Sequence, residues 1–446
     1  MHSVVVGLGK TGASCLRYLS KRGIPVVATD SRRAPPGLAE LGDVASQFDL
    51  RLGGFDLSLL EGASQVLMSP GVSLDEPIAR AARDRGIDVL GDVELFARNV
   101  QAPVIGITGT NGKSTVTSLV AHMAATAGLS VLAGGNLGDA VLDLLEQPTP
   151  DLYVLELSSF QLETTSSLRL QAAVVLNVTA DHMDRYPSVA AYALAKSRIF
   201  ANAATVVLNA DDPLVASMRG AATARIVTFS VDNAAASGAA DFSLLRAGTQ
   251  LRLALHGVAL LDLARLKIPG LHNAANALAA LALGEAAGLP MPMMIEALES
   301  FTGLPHRSEW VAEVAGVSYV DDSKGTNVGA TIAAVAGTPG PLVMIAGGVG
   351  KGQDFTPLAQ AFRGKVRHAV LIGRDAPALS KVLAGVCTTE RAASMPQAVA
   401  AAMRAAQAGD TVLLSPACAS FDMFRDYAHR GDVFAATVRN FGERLI

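Results

Sequence analysis

Residues 106–115 read "GITGTNGKST", with the apolar run "PVIGIT" ending at Thr108 and the stretch "STVTSLVAHMAATAG" beginning at Ser114. The pattern is strand, glycine turn, helix. Free backbone N–H groups at such a helix start, together with the helix dipole, face any bound anion. Lys113 adds a point charge for terminal phosphates, and the Ser114 hydroxyl can bind magnesium. The commonest phosphate loop has Gly, four residues, then Gly-Lys-Ser/Thr. Here Gly112-Lys113-Ser114 is in place, but Gly106 falls one residue early. The spacing leaves two readings open: a nucleotide loop of another lineage, or a glycine turn with a surface lysine.

The flanking chain repeats the strand–turn–helix theme on both sides. "SVVV" (3–6), "PVVATD" (25–30), "QVLMSPG" (65–71) and "IDVLGD" (87–92) alternate with helical patterns, the first of which ends at Gly23, a plausible C-cap. "LYVLEL" (152–157), "AAVVLNV" (172–178) and "TVVLNA" (205–210) read as buried strands, and the alternation from Phe242 to Leu261 as small antiparallel ones. "HNAANALAALALGEAAG" (272–288) is a long apolar helix. "LVMIAGG", "HAVLIG" and "TVLLSPA" start a third series after "GLPHRSEW" (303–310). The fold class is α/β, with parallel sheets. The expected division is 1–98, 99–303 and 304–446, with "NVQAP" (99–103) as the first linker.

The 446 residues suit roughly two to four domains. Half the residues are hydrophobic and 17% are charged, a globular composition with material for several cores. A net charge of -4 without a basic block argues against nucleic acid as the main partner. Cys15, Cys387 and Cys418 are odd in number and far apart, so a disulfide framework is not expected and a reducing compartment is. "MHSVVVGLG" shows no basic or apolar leader, and no apolar run approaches a membrane span. The expected location is the cytoplasm.

Further loops carry polar groups at strand ends. "GLGKTG" (7–12) has Gly7, Gly9 and Gly12 in the spacing of a dinucleotide loop, with Asp30 at the end of the next strand. "ELSSFQLE" (156–163) puts Glu156 at a strand's carboxyl end, where an acid can hold a metal. "NVTADHMDRY" (177–186) brings Asp181, His182 and Asp184 after another strand. Lys196 in "AYALAKSRIF" reads by composition as a solvated helix lysine. "LPHRSEW" offers Arg307, "DDSKGTN" (321–327) a polar glycine loop, "GGVGK" (347–351) a second loop ending in lysine, and "SPACASFDMF" (415–424) places Ser420 after a strand. For each of these a turn or surface role is an open alternative.

In this order the motifs resemble the Mur ligases of bacterial cell-wall synthesis, whose ATP loop is Gly-Thr-Asn-Gly-Lys-Ser/Thr, here Gly109 to Ser114. The early glycine then marks a distinct phosphate-loop lineage. The resemblance covers essentially the whole chain through "GLGKTG", "SPG" (69–71), "ELSSFQLE", "DHMDRY", "HRSE", "DDSKGTN" and "SPACASFDMF". It implies a Rossmann-like N-terminal domain for a UDP-sugar, a central phosphate-loop ATPase domain and a Rossmann-like C-terminal domain for an incoming amino acid.

By motif match, the resemblance implies that Gly109, Thr110, Asn111, Gly112, Lys113, Ser114 and Thr115 hold ATP. Asn273 and Asn276 would meet adenine, and Arg307 and Asp322 the nucleotide. Two magnesium ions are implied, with Ser114, Glu156 and His182 as ligands and with Lys196 as the lysine this family carbamylates into a further ligand. Thr11, Asp30, Ser31, Arg32, Ser69, Pro70, Gly71, Asn136, Ser159 and Gln161 match contacts to UDP-N-acetylmuramoyl-L-alanine. His182, Lys324, Thr326, Lys351, Ser420 and Tyr427 match the glutamate and reacting-phosphate site. The implied catalytic set is Lys113, Glu156, His182, Lys196, Lys324 and Lys351, in a monomer. One position departs: a phenylalanine expected seven residues after Ser420 is Tyr427, which leaves L-glutamate open beside the expected D-glutamate.

The implied reaction turns a carboxylate into an acyl phosphate at the expense of ATP, and an amine then displaces phosphate. Every species on that path is anionic, so cations are the needed catalysts. A nicotinamide-dependent dehydrogenase would account for "GLGKTG" and Asp30 but leaves "GKST" and "DHMD" without a use. A related ligase that adds glutamate to folate would share the ATP loop, and a non-catalytic ATP switch would share it too.

Overall fold

The computed structural model describes residues 1–218, 223–232, 240–248, 250–268 and 270–443. Three sheets form in turn along the chain. The first has β1 (His2–Val6), β2 (Val26–Asp30), β3 (Asp49–Leu52), β4 (Ala63–Met68) and β5 (Asp88–Leu90), in the order β3-β2-β1-β4-β5. All its neighbours are parallel. The Val4–Val6 run is fully buried, as expected for a central parallel strand covered on both faces. The helix Lys10–Lys21 stops where Gly23 takes φ +67° and donates to the Ser20 carbonyl, the expected C-cap.

The second sheet has nine strands: β6 (Val104–Thr108), β7 (Val131–Gly135), β8 (Leu152–Glu156), β9 (Leu170–Val175), β10 (Ala203–Asn209), β11 (Arg225–Ser230), β12 (Phe242–Ala247), β13 (Gln250–Leu255) and β14 (Val258–Asp262). Their order is β14-β13-β12-β11-β10-β9-β6-β8-β7. The strands from β12 back to β7 pair parallel with their neighbours, while β12 and β13 form an antiparallel pair in the stretch whose alternation announced one. The chain order reverses at β6, between β8 and β9, so the loops after β6 and β9 open at a switch point, where parallel sheets bind ligands.

The third sheet has β15 (Glu309–Val314), β16 (Val317–Asp321), β17 (Leu342–Gly347), β18 (Val366–Ile372), β19 (Thr388–Arg391) and β20 (Thr411–Leu414), in the order β15-β16-β20-β17-β18-β19. β15 is an antiparallel edge and the remaining neighbours are parallel. This order differs from the first sheet's: the last strand, β20, enters between β16 and β17. The loops after β16, β17 and β20 therefore leave the same sheet edge side by side.

The described residues group into two compact units. One comprises Met1–Asn177, Tyr192–Leu261 and Ala277–Leu298, and holds the first two sheets. The other comprises Val178–Ala191, Asp262–Asn276 and Glu299–Ile446, and is built on the third sheet. Two segments of the central region, one between β9 and β10 and one after β14, thus group with the C-terminal sheet. No helix among the described residues is long and apolar enough to cross a membrane.

Candidate active site

The phosphate loop leaves β6 with Gly109 at φ +152° and Gly112 at φ +85°, the second in the left-handed region just ahead of the helix Lys113–Thr126. Side chains with a Cβ rarely adopt either conformation. Asn177, at the end of the β9 segment, fixes the loop. Its carbonyl accepts from Thr110 N at 2.9 Å, its Oδ1 accepts from Asn111 N at 2.8 Å, and its Nδ2 donates to the Asn111 carbonyl at 3.1 Å. Lys113 Nζ donates back to the carbonyls of Gly109 (2.8 Å) and Thr110 (2.9 Å). Ser114 and Thr115 are buried in the first helical turn.

Lys196 is not the surface lysine its composition suggested. It is 1% exposed, its Nζ donates to the Gly109 carbonyl at 2.9 Å and lies 3.5 Å from Thr108 Oγ1, and the same nitrogen sits 4.4 Å above the Tyr192 ring. The helix Val189–Ser197 is apolar enough to be buried on this face, and Lys196 reaches from it into the loop. Two lysine side chains therefore converge on one carbonyl oxygen of the loop.

Glu156 ends β8 and is 2% exposed. Asn136 clamps it twice: Nδ2 donates to Glu156 Oε1 at 2.7 Å, and Asn136 N donates to the Glu156 carbonyl at 2.9 Å. Gly135, at φ +104°, is glycine because a Cβ there would collide with that same carbonyl. Ser159 and Gln161 are both buried in the short helix Ser159–Glu163. Gln161 has a scaffolding use: its Oε1 accepts from Ser158 N at 3.1 Å to complete a capping box, and its Nε2 lies 3.4 Å from Asp92 Oδ2. Asp92 was not singled out by sequence. Burial pushes its carboxyl up to about 6. Its neighbour Glu94 accepts from the backbone N–H groups of Ser166 and Ser167 at 2.7 and 2.9 Å, so one acidic turn holds both ends of the segment after Glu156.

In the first sheet, Asp30 ends β2. Its Oδ2 accepts from Leu8 N at 2.6 Å and from Arg32 Nη2 at 2.7 Å, and its Oδ1 from Arg32 N and Nε, each at 2.8 Å. Burial works to raise its pKa, but the Arg32 guanidinium and the backbone donors hold it below the usual carboxylate value. The acid that would grip a ribose in a dehydrogenase is here engaged with four donors of the protein itself. Ser69 follows β4, and its hydroxyl donates to the Gly7 carbonyl at 2.6 Å, joining the "GLGKTG" and "SPG" loops at the β1/β4 switch point. Thr11 lies in the first helical turn, and Ser31, Arg32 and Gly71 are exposed, with Pro70 half-buried.

In the second unit, Asp181 is the hub of the "DHMD" loop. Lys351 Nζ lies 3.6 Å from its Oδ1, His182 N donates to that oxygen at 2.9 Å, and Asn327 Nδ2 lies 3.5 Å from its Oδ2. His182 and Lys351 both have positive φ, +55° and +53°, a strain that side chains with a Cβ carry at functional loops. Asn273 and Asn276 are buried and joined, Nδ2 of the latter to Oδ1 of the former at 3.1 Å.

The three loops on the edge of the third sheet are laced together. Asp322 Oδ2 accepts from Ser415 Oγ at 2.7 Å, Ala417 N donates to the Gly325 carbonyl at 2.9 Å, and Val349 and Ala419 exchange backbone bonds at 2.8 and 2.9 Å. Burial pushes Asp322 up to about 7, against the pull of Ser415 and Arg307. Lys324 Nζ sits 3.8 Å over the Tyr427 ring, so the residue that departs from the expected phenylalanine packs against a lysine of the same site. Thr326 N donates to the Lys324 carbonyl at 2.8 Å, and Ser420 is buried. Arg430, beneath these loops, is 1% exposed and was missed, because in "YAHRGDVF" an arginine reads as the polar face of a helix.

The chain belongs to the Mur ligase family. A MurD-like N-terminal domain matches residues 1–91, the Mur ligase middle domain residues 107–284, and the Mur ligase glutamate ligase domain residues 306–418. Members of this family are ATP-dependent ligases that form amide bonds. The chain is 54% identical, over 98% of its length and 96% of the relative's, to UDP-N-acetylmuramoylalanine–D-glutamate ligase of Nitrosococcus oceani. It is 49% identical to the enzyme of that name from Methylococcus capsulatus, over 98% of this chain and 94% of the relative. Among solved structures it shares its fold with a UDP-N-acetylmuramate–alanine ligase from Thermotoga maritima, at 20% identity and TM-score 0.63, covering 99% of each chain. It also shares it with E. coli FolC in complex with ADP, at 18% identity and TM-score 0.60, covering 78% of this chain and 93% of that one.

Proposed function

We propose that this chain joins D-glutamate to the L-alanyl carboxylate of UDP-N-acetylmuramoyl-L-alanine, consuming ATP and releasing ADP and phosphate. The observation that carries the reading is the convergence of Lys113 and Lys196 on the Gly109 carbonyl, in a chain 54% identical to a D-glutamate ligase over nearly its full length. In this reading residues 1–98 take the UDP-sugar, 99–303 the ATP and 304–446 the amino acid, in a cytoplasmic monomer.

The L-alanyl carboxylate attacks the γ-phosphorus of ATP, and ADP leaves with the electrons of the broken P–O bond. The glutamate amine attacks the acyl phosphate, loses a proton, and expels phosphate from a tetrahedral intermediate. Gly109 to Thr115 cradle the phosphates, and Lys113 neutralises charge on the transferred group. Asn273, Asn276, Arg307 and Asp322 hold the nucleoside. Asp30, Ser31, Arg32 and Ser69 hold the UDP moiety, with Asn136 nearer the reacting end. Lys324, Thr326, Lys351, Ser420 and Tyr427 hold glutamate, whose two carboxylates suit a lysine-rich cleft.

Magnesium would be held by Ser114, Glu156 and a carbamate on Lys196, where it would supply positive charge to the phosphate oxygens. The donor set fits: Glu156 is a buried carboxylate held in place by Asn136, and Lys196 is a buried amine beside the phosphate loop. Carbamylation of Lys196 joins its nitrogen to carbon dioxide with release of two protons, and turns a cation into an oxygen ligand.

Phosphate release measured with ATP, UDP-N-acetylmuramoyl-L-alanine and each glutamate enantiomer tests the proposal. Release with D-glutamate is expected. Release with L-glutamate alone would reassign the amino acid, and release with neither would overturn the reading.

A further inference from the structure

The guanidinium of Arg430 lies beneath the third sheet's loops, on the helix Tyr427–Glu443, and makes three hydrogen bonds. Nε donates to Ser323 Oγ at 2.9 Å, Nη2 to the Ser323 carbonyl at 2.7 Å, and Nη1 to the Cys418 carbonyl at 3.0 Å. Ser323 adjoins Lys324, and Cys418 lies two residues before Ser420. The Ser323 hydroxyl passes the chain on, donating to the Tyr427 carbonyl at 2.8 Å. One side chain thus ties together the loop of Lys324, the loop of Ser420 and the backbone of Tyr427. We infer that Arg430 is a positioning residue for the amino-acid substrate, holding Lys324, Ser420 and Tyr427 in the mutual placement at which they meet glutamate; this rests on the assignment of glutamate to those residues.

Two features set Arg430 apart from an ordinary brace. All three of its acceptors are neutral oxygens, and none is a carboxylate. A buried charge without a bonded counter-charge is costly, and a neutral donor could tie loops without that cost. Burial accordingly lowers the Arg430 pKa to about 10, which still leaves it charged at neutral pH. The carboxylates of Asp321, Asp322 and Asp422 offset part of this charge without bonding it, and the guanidinium sits behind the loops that would face a dicarboxylate. The packing also requires this helix turn to approach closely. The next residue is Gly431, where a Cβ would overlap His306 Nδ1, the atom that pairs with Asp321 Oδ2 at 2.7 Å. Arg430 thus meets the two loops while Gly431 lets the same helix turn approach His306 and Asp321.

The test is steady-state kinetics of the full-length enzyme with each of its three substrates varied in turn, for Arg430→Lys, Arg430→Gln and Ser323→Ala, together with thermal midpoints. Arg430→Lys keeps the charge but not the fork of donors. It is expected to raise KM for glutamate about tenfold and to leave KM for ATP and for the UDP-substrate within twofold. Arg430→Gln, which loses the charge as well, is expected to raise the glutamate KM further. Ser323→Ala, which removes one of the three Arg430 bonds and the Ser323–Tyr427 link but no charge, is expected to raise it about threefold, and it serves if the arginine variants do not fold. A purely structural brace would lower kcat and the thermal midpoint and leave the glutamate KM unchanged, and that result in a folded variant would overturn the inference. A wild-type enzyme that responds to glutamate while the variants keep its KM overturns this inference alone. A wild type with no response to glutamate overturns the assignment of function and this inference with it.

Discussion

Lys113 and Lys196 share one acceptor, the carbonyl oxygen of Gly109, at 2.8 and 2.9 Å. One lysine starts the helix after the phosphate loop, and the other reaches the same oxygen from a helix that begins after the "DHMDRY" motif. In the proposed reaction they have opposite uses: Lys113 as a cation for phosphate, Lys196 as an amine to be converted into an anion.

Lys113→Ala and Lys196→Ala are therefore each expected to lose roughly 10²–10³-fold or more in kcat, but to respond differently to added acids. Formate or acetate fills the space of a missing carbamate with the right charge, so it restores part of the activity of Lys196→Ala. It does nothing for Lys113→Ala, where a cation is missing. Equal rescue of both variants, or normal activity in Lys196→Ala, would refute the assignment.

Asn136 holds Glu156 by side chain and backbone. Supporting shells of metal ligands typically carry 10–100-fold in affinity or activity. Asn136→Ala is expected to raise the magnesium concentration for half-maximal phosphate release about tenfold in a protein that remains folded. A magnesium dependence like that of the wild type would show that Asn136 does not act through the metal ligand.

Gly12 faces the Gly7 carbonyl so closely that a Cβ would overlap its oxygen. The obstacle is backbone, which cannot swing aside as a side-chain tip can. Gly12→Ala should destabilise the first sheet by about 1–3 kcal/mol, and raise KM for the UDP-substrate with little effect on ATP binding. Denaturant midpoints and separate binding titrations check both halves.

Asp92 gives a pH signature. Burial raises its folded-state pKa from 3.8 to about 6, so ionisation opposes folding. The stability linked to this group is whole below about pH 4, falls between pH 4 and 6, and is gone above it. Asp92→Asn cannot ionise, so it should be more stable than wild type at pH 8, by up to about 3 kcal/mol, with an advantage about half as large at pH 5. Urea midpoints at the two pH values measure it, and a difference that does not change with pH would count against it.

The strand–glycine–helix units were legible in the sequence because their signals are local. Apolar β-branched runs fix the strands, glycines at positive φ fix the turns, and polar residues that follow a strand end necessarily arrive at the sheet's carboxyl edge. What stayed hidden depends on contacts between distant segments. The helix around Lys196 has no periodicity that tells a buried ammonium from an exposed one. Arg430 and Asp92 look like ordinary polar helix residues until the loops they serve are in place. Nor does anything within Val178–Ala191 or Asp262–Asn276 announce that these segments pack with the last third of the chain.

That last arrangement sets a timetable for synthesis. Asp181 leaves the ribosome 146 residues ahead of Asn327, and Lys351 follows later still. At bacterial-to-eukaryotic elongation speeds of about 5–20 residues per second, the "DHMDRY" loop waits roughly 7–30 s for the partners that will hold it. The sheet around the phosphate loop can close during that interval, so a nascent chain can form that loop before the loops that pair with Asp181 exist.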